Sequence, residues 1–354
     1  MKRPLLVFLA IASLALAGCG FWSHSVAQQS SAPLRVTWGW EYRAEDYIRS
    51  KPLVAEGMIY FGCDDNRLYA LDAASGQLRW RFETRDNVSA TPVLVDSLLI
   101  FGSWDGVLYA VDAKTGRQVW RTTLDGWLTA SPAFAQGIIY VGVHDGYLYA
   151  VELATGTVLW RFPSGGAIAG QAQVADELLY FASADGFAYA LDAYSGVLRW
   201  RTPTRSPLVA GPLVDGSSVY VASTDRHLYA LDATTGKQRW ARELDATLEA
   251  MPAVAGGRAF VGTMAGTVVA LGAAQGTVQW TFVTPGPICT MPVVVEGVLF
   301  VGSTDDHIYA LDTATGHLRW SYRLGSDAGP PVVSDGWLYV GSTDRRLYAF
   351  RLEG

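Results

Sequence analysis

The chain has 354 residues, half of them apolar and 17% charged, with 37 glycines and a net charge of −6 from 27 basic and 33 acidic residues. This balance excludes a disordered chain, a collagen-like repeat and a coiled coil, and without a basic block there is no electrostatic footprint for nucleic acid. Three cysteines are too few for a disulfide scaffold, and none has zinc-site spacing.

The N-terminus reads as an address. Met1-Lys2-Arg3 is a short positive region, and Leu5 to Leu16 is an apolar stretch of signal-peptide length, too short to span a bilayer. Leu16-Ala17-Gly18-Cys19 looks like the lipobox of bacterial lipoproteins, which implies removal of residues 1–18 and acylation of Cys19. Loss of Lys2 and Arg3 leaves 25 basic against 33 acidic residues, a charge of −8, so acyl chains rather than electrostatics would hold the protein at a membrane. Gly20 is not an aspartate, which by the same resemblance implies the periplasmic face of the outer membrane in a Gram-negative envelope. Otherwise the outer face of the cytoplasmic membrane is expected. Residues 19–34, rich in Ser, Gln and Ala, read as a flexible tether.

The remainder, residues 35–354, is one unit repeated with a period of 40. Tryptophans recur at Trp40, Trp80, Trp120, Trp160, Trp200, Trp240, Trp280 and Trp320. A glycine stands four residues before seven of them, from Gly76 to Gly316. Alanines recur at Ala70, Ala110, Ala150, Ala190, Ala230, Ala270, Ala310 and Ala349, the last one residue short of the register, so a residue is missing between Trp320 and Pro331. Such a period defines the architecture before any single element does.

Within a unit, alternation and turn signals predict four strands: A at Pro92–Val95, B at Leu98–Ser103, C at Val107–Val111 and D at Gln118–Thr122. Strand C is apolar on both faces, which requires a sheet covered on both sides. Four-stranded units of this kind predict an all-β, eight-bladed β-propeller of antiparallel blades. Val36–Tyr42 has the register of strand D with nothing before it, whereas Pro331–Leu352 supplies A, B and C with nothing after them. Pairing of the N-terminal strand with the C-terminal blade is therefore expected to close the ring and remove two exposed edges.

In Ala70-Leu71-Asp72-Ala73-Ala74-Ser75-Gly76-Gln77-Leu78-Arg79-Trp80, Asp72 is placed to accept backbone N–H groups further on and Gly76 to take a positive φ. The run resembles the tryptophan-docking motif of the quinoprotein propellers, the repeat shared by PQQ-dependent alcohol dehydrogenases and the outer-membrane assembly lipoprotein family BamB. Departures are Glu152 and Gly272 at the turn aspartate, Gln275 at Ser/Thr and Ala172 at the strand A proline, which makes the sixth blade the most worn.

The dehydrogenases, as the resemblance implies, are much longer and carry a vicinal Cys-Cys disulfide with carboxylate and amide ligands to calcium. Here Cys63 falls in a B–C turn and Cys289 near a strand A, both read as small buried apolar residues, and no quinone-site motif carries over. His144, His227 and His307 fall in B–C turns of separate blades, and no Gly-x-Ser-x-Gly elbow occurs. No catalytic residue, metal site or cofactor is assigned, and PQQ is left without site motifs.

Variation from unit to unit concentrates in the D–A connections and B–C turns, two loop sets that share one rim, where a scaffold is free to carry recognition. Its members include Tyr47, Arg49, Lys51, Arg67, Arg85, Trp104, Trp127, His144, Tyr147, Phe187, Arg205, Arg226, Glu249, His307, Arg345 and Arg346. Aromatic residues with arginine are characteristic protein-binding anchors. The expected function is a monomeric, membrane-tethered, non-catalytic platform for envelope proteins, as in BamB-like outer-membrane protein assembly. The alternative is a PQQ or small-ligand sensor, or a quinoprotein-dehydrogenase relative, with an axial funnel near Arg49, Lys51, Gln171, Glu249 and Met291.

Overall fold

A computed structural model of the protein describes residues 34–353; the predicted leader, Cys19 and the tether up to residue 33 lie outside the described residues. Every regular element among the described residues is a β-strand, and no helix there is long and apolar enough to cross a membrane.

The strands form eight antiparallel sheets of four. Blade 1 comprises Leu53–Ala55, Met58–Cys63, Arg67–Asp72 and Leu78–Glu83 as strands A to D. Blade 2 repeats this at Val93–Val95, Leu98–Gly102, Val107–Asp112 and Gln118–Thr123, and blades 3 to 7 follow with the same spacing. Blade 8 takes A, B and C from Ala328–Ser334, Trp337–Ser342 and Arg346–Glu353, and D from Arg35–Arg43 at the other end of the chain. The expected closure is therefore observed. The missing residue also has a structural consequence: it straightens the connection into blade 8, so that strand A there is seven residues long and carries a register shift between Ala328 and Pro331.

The core is a series of interfaces between neighbouring blades. Eight buried apolar clusters each draw on two adjacent sheets, including Ile59, Phe61 and Leu71 of blade 1 with Tyr339, Leu347 and Ala349 of blade 8. The eight repeated alanines are fully buried in strand C. Each is the direct cross-strand partner of a repeated tryptophan, from Ala70 opposite Trp80 to Ala349 opposite Trp40.

From strand D the indole leans onto the next blade. Trp40 donates its N–H to the carbonyl of Ala73 (3.2 Å), Trp80 to Ala113 (3.0 Å), Trp120 to Leu153 (2.8 Å) and Trp200 to Ala233 (2.8 Å), all in the following C–D turn. The ring lies flat over the turn glycine: a Cβ built on Gly116, whose φ is +70°, would stand 2.7 Å from the Trp80 ring. Glycine is required there both by the positive φ and by the close approach. The turn is set by its aspartate as expected, with Asp72 Oδ1 accepting the Ser75 N–H at 2.9 Å. Trp320 differs, because blade 8 is split between the chain ends and has no C–D turn; its ring packs edge-on against Phe350 at 5.5 Å.

Candidate binding rim and axial funnel

Strand A is innermost in every blade and strand D outermost, so each D–A connection runs inward across one rim. There it meets the B–C turn of the blade it enters. The N–H of Asp64 donates to the carbonyl of Tyr47 (3.0 Å), Trp104 to Asn87 (2.9 Å), His144 to Trp127 (3.1 Å) and Ala184 to Ala167 (2.9 Å). The same backbone link holds each of these tips, while the side chains at the linked positions are free to differ. A–B and C–D turns occupy the opposite rim, joined by bonds such as Ala73 N–H to Gly57 O (2.9 Å).

The turn aspartates of the variable rim are structural. Asp105 Oδ2 accepts the Tyr109 hydroxyl (2.7 Å) and the Arg85 N–H (3.0 Å), while Oδ1 accepts the Val107 N–H (3.0 Å). Burial, reinforced by the neighbouring carboxylate, pushes the Tyr109 phenol well above its ordinary range. Asp145–Tyr149, Asp185–Tyr189 and Asp225–Tyr229 repeat the pair. In blade 6, Ala265 and Val269 replace both partners, and Thr267 bonds Asp245 instead.

The sequence-predicted rim residues fall into three zones rather than one surface. An outer zone is occupied by residues that open strand C instead of lying in the turn: Arg67, Tyr147, Phe187, His307 and Arg346. His227 does the same, so His227 and His307 are not turn residues; each ring instead approaches the backbone carbonyl of the turn aspartate, at 3.0 and 2.9 Å. These side chains are largely spent within their own blades. Arg67 pairs with Glu45 (2.6 Å) and Glu83 (3.4 Å), Arg346 with Asp344 (3.1 Å) and Glu41 (3.4 Å), and Arg226 with Glu243. Arg161 lies 4.5 Å over the Tyr147 ring and Arg201 5.1 Å over Phe187. Arg226 and Arg345 hold the positive-φ position of their turns.

The crest carries Trp104, Trp127 and His144, with Arg85 and Arg205 at the starts of their connections. Trp104 and Trp127 stack at 5.6 Å and 13°, and His144 tilts against Trp127 at 5.9 Å. Burial lowers the His144 pKa, which favours the neutral ring.

The inner zone is an axial cavity of about 700 Å³, within the range of small-molecule sites. It brings together all five residues expected there: Arg49, Lys51, Gln171, Glu249 and Met291. Its lining is divided. Lys51, Thr91, Ser131 and Gln171 supply a polar arc, and Met251, Met291, Pro330 and Val332 an apolar one. Arg49 is engaged by Asp64 at 2.7 Å, whereas Lys51 has no ion pair among the described residues, and burial lowers its pKa.

Two cysteine expectations need correction. Cys63 is the last residue of strand B in blade 1, not a turn residue, because that hairpin is one pair longer than its counterparts, with Cys63 opposite Arg67. Its burial is as expected, but Cys289 is exposed and lines the funnel mouth, since the connection into blade 7 turns the adjacent Ile288 and Thr290 inward instead. The two cysteines thus sit in different surroundings with no pairing between them, and both are free. Among the described residues, no group of three or more His, Cys, Asp or Glu side chains converges on a point that could hold a metal ion. The funnel does not fit a calcium-held quinone, because Glu249 is its one carboxylate.

The sequence reading missed two features. Strand B tyrosines reach the carbonyl on which the tryptophan docks, as Tyr339 does at Ala73 (2.9 Å) and Tyr60 at Ala113 (3.2 Å). Ser89 and Thr129 fix the crest from the funnel side, through Trp104 Nε1 to Ser89 Oγ (2.7 Å) and Thr129 Oγ1 to His144 Nε2 (2.8 Å). Both were legible as positions equivalent to Arg49, Ser89 one period and Thr129 two periods after it, since Arg49 bonds Asp64 in the same way.

A closed ring of eight tryptophan-docked blades, with one variable rim around a trim axial funnel, defines a quinoprotein-type repeat propeller. The chain belongs to the family described as outer membrane protein assembly factor BamB, whose model matches residues 37–103, 87–161, 144–251 and 236–354. No curated protein sequence matches it. Among solved structures it is similar to BamB from Moraxella catarrhalis, at 18% identity and a TM-score of 0.78, over 90% of this chain and 100% of that one. It is also similar to the computationally designed protein Ika8, at 18% identity and a TM-score of 0.78, over 87% of this chain and 97% of that one. A third similar structure is the quinohemoprotein alcohol dehydrogenase from Comamonas testosteroni, at 15% identity and a TM-score of 0.78, over 89% of this chain and 76% of that one. These likenesses establish the fold.

Proposed function

We propose that the chain is a lipid-tethered, non-catalytic interaction platform of the bacterial envelope, acting in outer-membrane protein assembly as its family description suggests. The observation that carries this reading is the contrast between the two rims. One repeats the same turn around the ring, while the other keeps a common backbone link but presents Asp64, Trp104, His144, Ala184 and Met264 in turn at equivalent tips. Arg35, the first residue of strand D in blade 8, pairs with Glu353 at the end of strand C remote from the variable rim. Affinity capture of the full chain from crosslinked, detergent-solubilised envelopes tests the reading. Recovery of an outer-membrane barrel-assembly protein is expected, and recovery of no specific protein would refute it.

A second reading, ligand sensing, is favoured by Lys51, which has no ion pair among the described residues, in the divided funnel. A small amphipathic anion would place its charge at Lys51 and its apolar body against Met251 and Met291. PQQ is the probe, mixed with purified protein with and without calcium and followed by absorbance and native mass. Stoichiometric uptake lost in Lys51→Ala would establish ligand binding, and no uptake is expected if the platform reading alone holds.

A further inference from the structure

We propose that the Trp104–Trp127–His144 ledge, with the side-chain-poor step beside it on blade 4, is the docking site for an extended, proline-containing segment of a partner protein.

Three observations carry this. The first is shape. Trp104 and Trp127 stack on one another, and Trp127 remains 53% exposed, so about half of the outer indole is offered to the outside. On the next tip the equivalent positions are Ala167 and Ala184, and the connection there reads Gly165-Gly166-Ala167-Ile168-Ala169-Gly170 with Ile168 turned inward. A wall of rings therefore borders a floor on which almost no side chain stands, and a backbone can lie close to it.

The second is chemistry. The ledge is held from within: Trp104 spends its indole N–H on Ser89, and His144 Nε2 is bonded to Thr129. The Trp127 indole N–H has no partner among the described residues and remains a free donor at the ring edge. A proline segment lacks the backbone N–H at each proline, presents carbonyl acceptors and flat rings, and is already ordered before it binds. That complements a ring face with a free donor beside it.

The third is charge. From the ledge across the step, Trp104, Trp127, His144, Ala167, Ala184 and Ala169 carry no charged group, and burial favours the neutral His144 ring. The carboxylates beside the patch are spent within the fold: Asp185 Oδ2 accepts the Gly165 N–H (2.7 Å) and the Tyr189 hydroxyl (2.6 Å), and Asp145 Oδ2 accepts the Tyr149 hydroxyl (2.7 Å), while Asp125 lies towards the outer strand and Lys51 in the funnel. A segment rich in acidic residues would be desolvated there beside these carboxylates without a counter-charge.

The inference rests on the platform reading and names the partner chemistry that its rim takes. An acetyl-capped deca-proline peptide is titrated into the full propeller and followed by indole N–H resonances. Saturable binding is expected, with the free Trp127 N–H among the signals that shift. Trp127→Ala, an exposed position that leaves folding intact, should weaken binding at least tenfold. Ala167→Trp, which fills the step, should do the same. No binding, or binding unchanged in Trp127→Ala, overturns the inference. So does Trp127-dependent binding of chitotetraose in place of the peptide, or a concentration-dependent dimer abolished by Trp127→Ala. Peptide binding reads the ledge and envelope capture reads the platform, so either can fail without the other.

Discussion

Trp40 stands directly opposite Ala349 across strands drawn from the two ends of the chain, in the same pairing that joins Trp80 to Ala70 within blade 1. From that position its indole N–H reaches Ala73, so one residue both completes blade 8 and docks it on blade 1. Ring closure is thus made by the repeat's own contact.

Deleting residues 34–43 removes this strand and exposes the outer edge of strand C in blade 8. We expect the whole ring to lose stability in one transition, with melting lowered by roughly 10 °C, each kcal/mol lost shifting a large domain by a few degrees. Calorimetry measures it, and an unchanged melting temperature would show that the strand does not close the ring.

The docking turn separates strain from collision. Gly116 and Gly137 both hold positive φ, +70° and +83°, but only Gly116 lies under an indole. Gly116→Ala should cost more than Gly137→Ala, by about 1–3 kcal/mol beyond the shared backbone strain of similar size. Denaturant midpoints compare the two, and equal losses would mean that the Trp80 ring yields freely.

Much of this was legible from spacing alone. The tryptophans, glycines and alanines report the repeat because each faces a neighbouring copy of the same unit, so its environment recurs every 40 residues. The tip side chains resisted reading because their positions are set by the backbone link, which fixes place and leaves direction open. Arg67 turns to Glu83 of its own blade and Glu45 of the connection entering it, and Arg346 to Asp344 of its own blade, whereas Trp104 and Trp127 turn to each other. Cys63 was misplaced because a hairpin longer by one pair leaves no mark in the period.

Alkali should release the rim. Burial first, and then the paired carboxylates, raise the pKa of Tyr109, Tyr189 and Tyr229, while Tyr149 is pushed up to about 12. A folded pKa above the unfolded value of about 10 stabilises the fold fully below pH 10, and the contribution is lost as pH rises through the folded value. Tyrosinate absorbance should therefore lag that of free tyrosine and appear together with unfolding. Tyr109→Phe should lose the Asp105 bond and unfold earlier at neutral pH.

Acid acts on the opposite rim. The Arg79 guanidinium, with hydrogen bonds from Ser75, holds Asp72 down to about 2. Its contribution is present above the unfolded value of about 4 and lost as pH falls towards 2. Asp72→Asn should flatten the decline in stability over that interval, measured by melting at a series of pH values.

The two ring cysteines should differ in reactivity. Cys63 is buried, and burial raises its thiol far above the ordinary range; Cys289 is exposed at the funnel mouth, its thiol raised less. A maleimide should label Cys289 in the folded protein and Cys63 only on unfolding, as peptide mass mapping would show.

Photo-crosslinking in intact envelopes shows whether recognition belongs to the rim of D–A connections and B–C turns. A photoreactive residue placed at Trp127, or at Arg205 in control, is compared with one at Ser75 or Thr235 on the opposite rim. A discrete protein adduct is expected from Trp127 and none from Ser75 or Thr235. Adducts confined to Ser75 and Thr235, or equal from both rims, would contradict it.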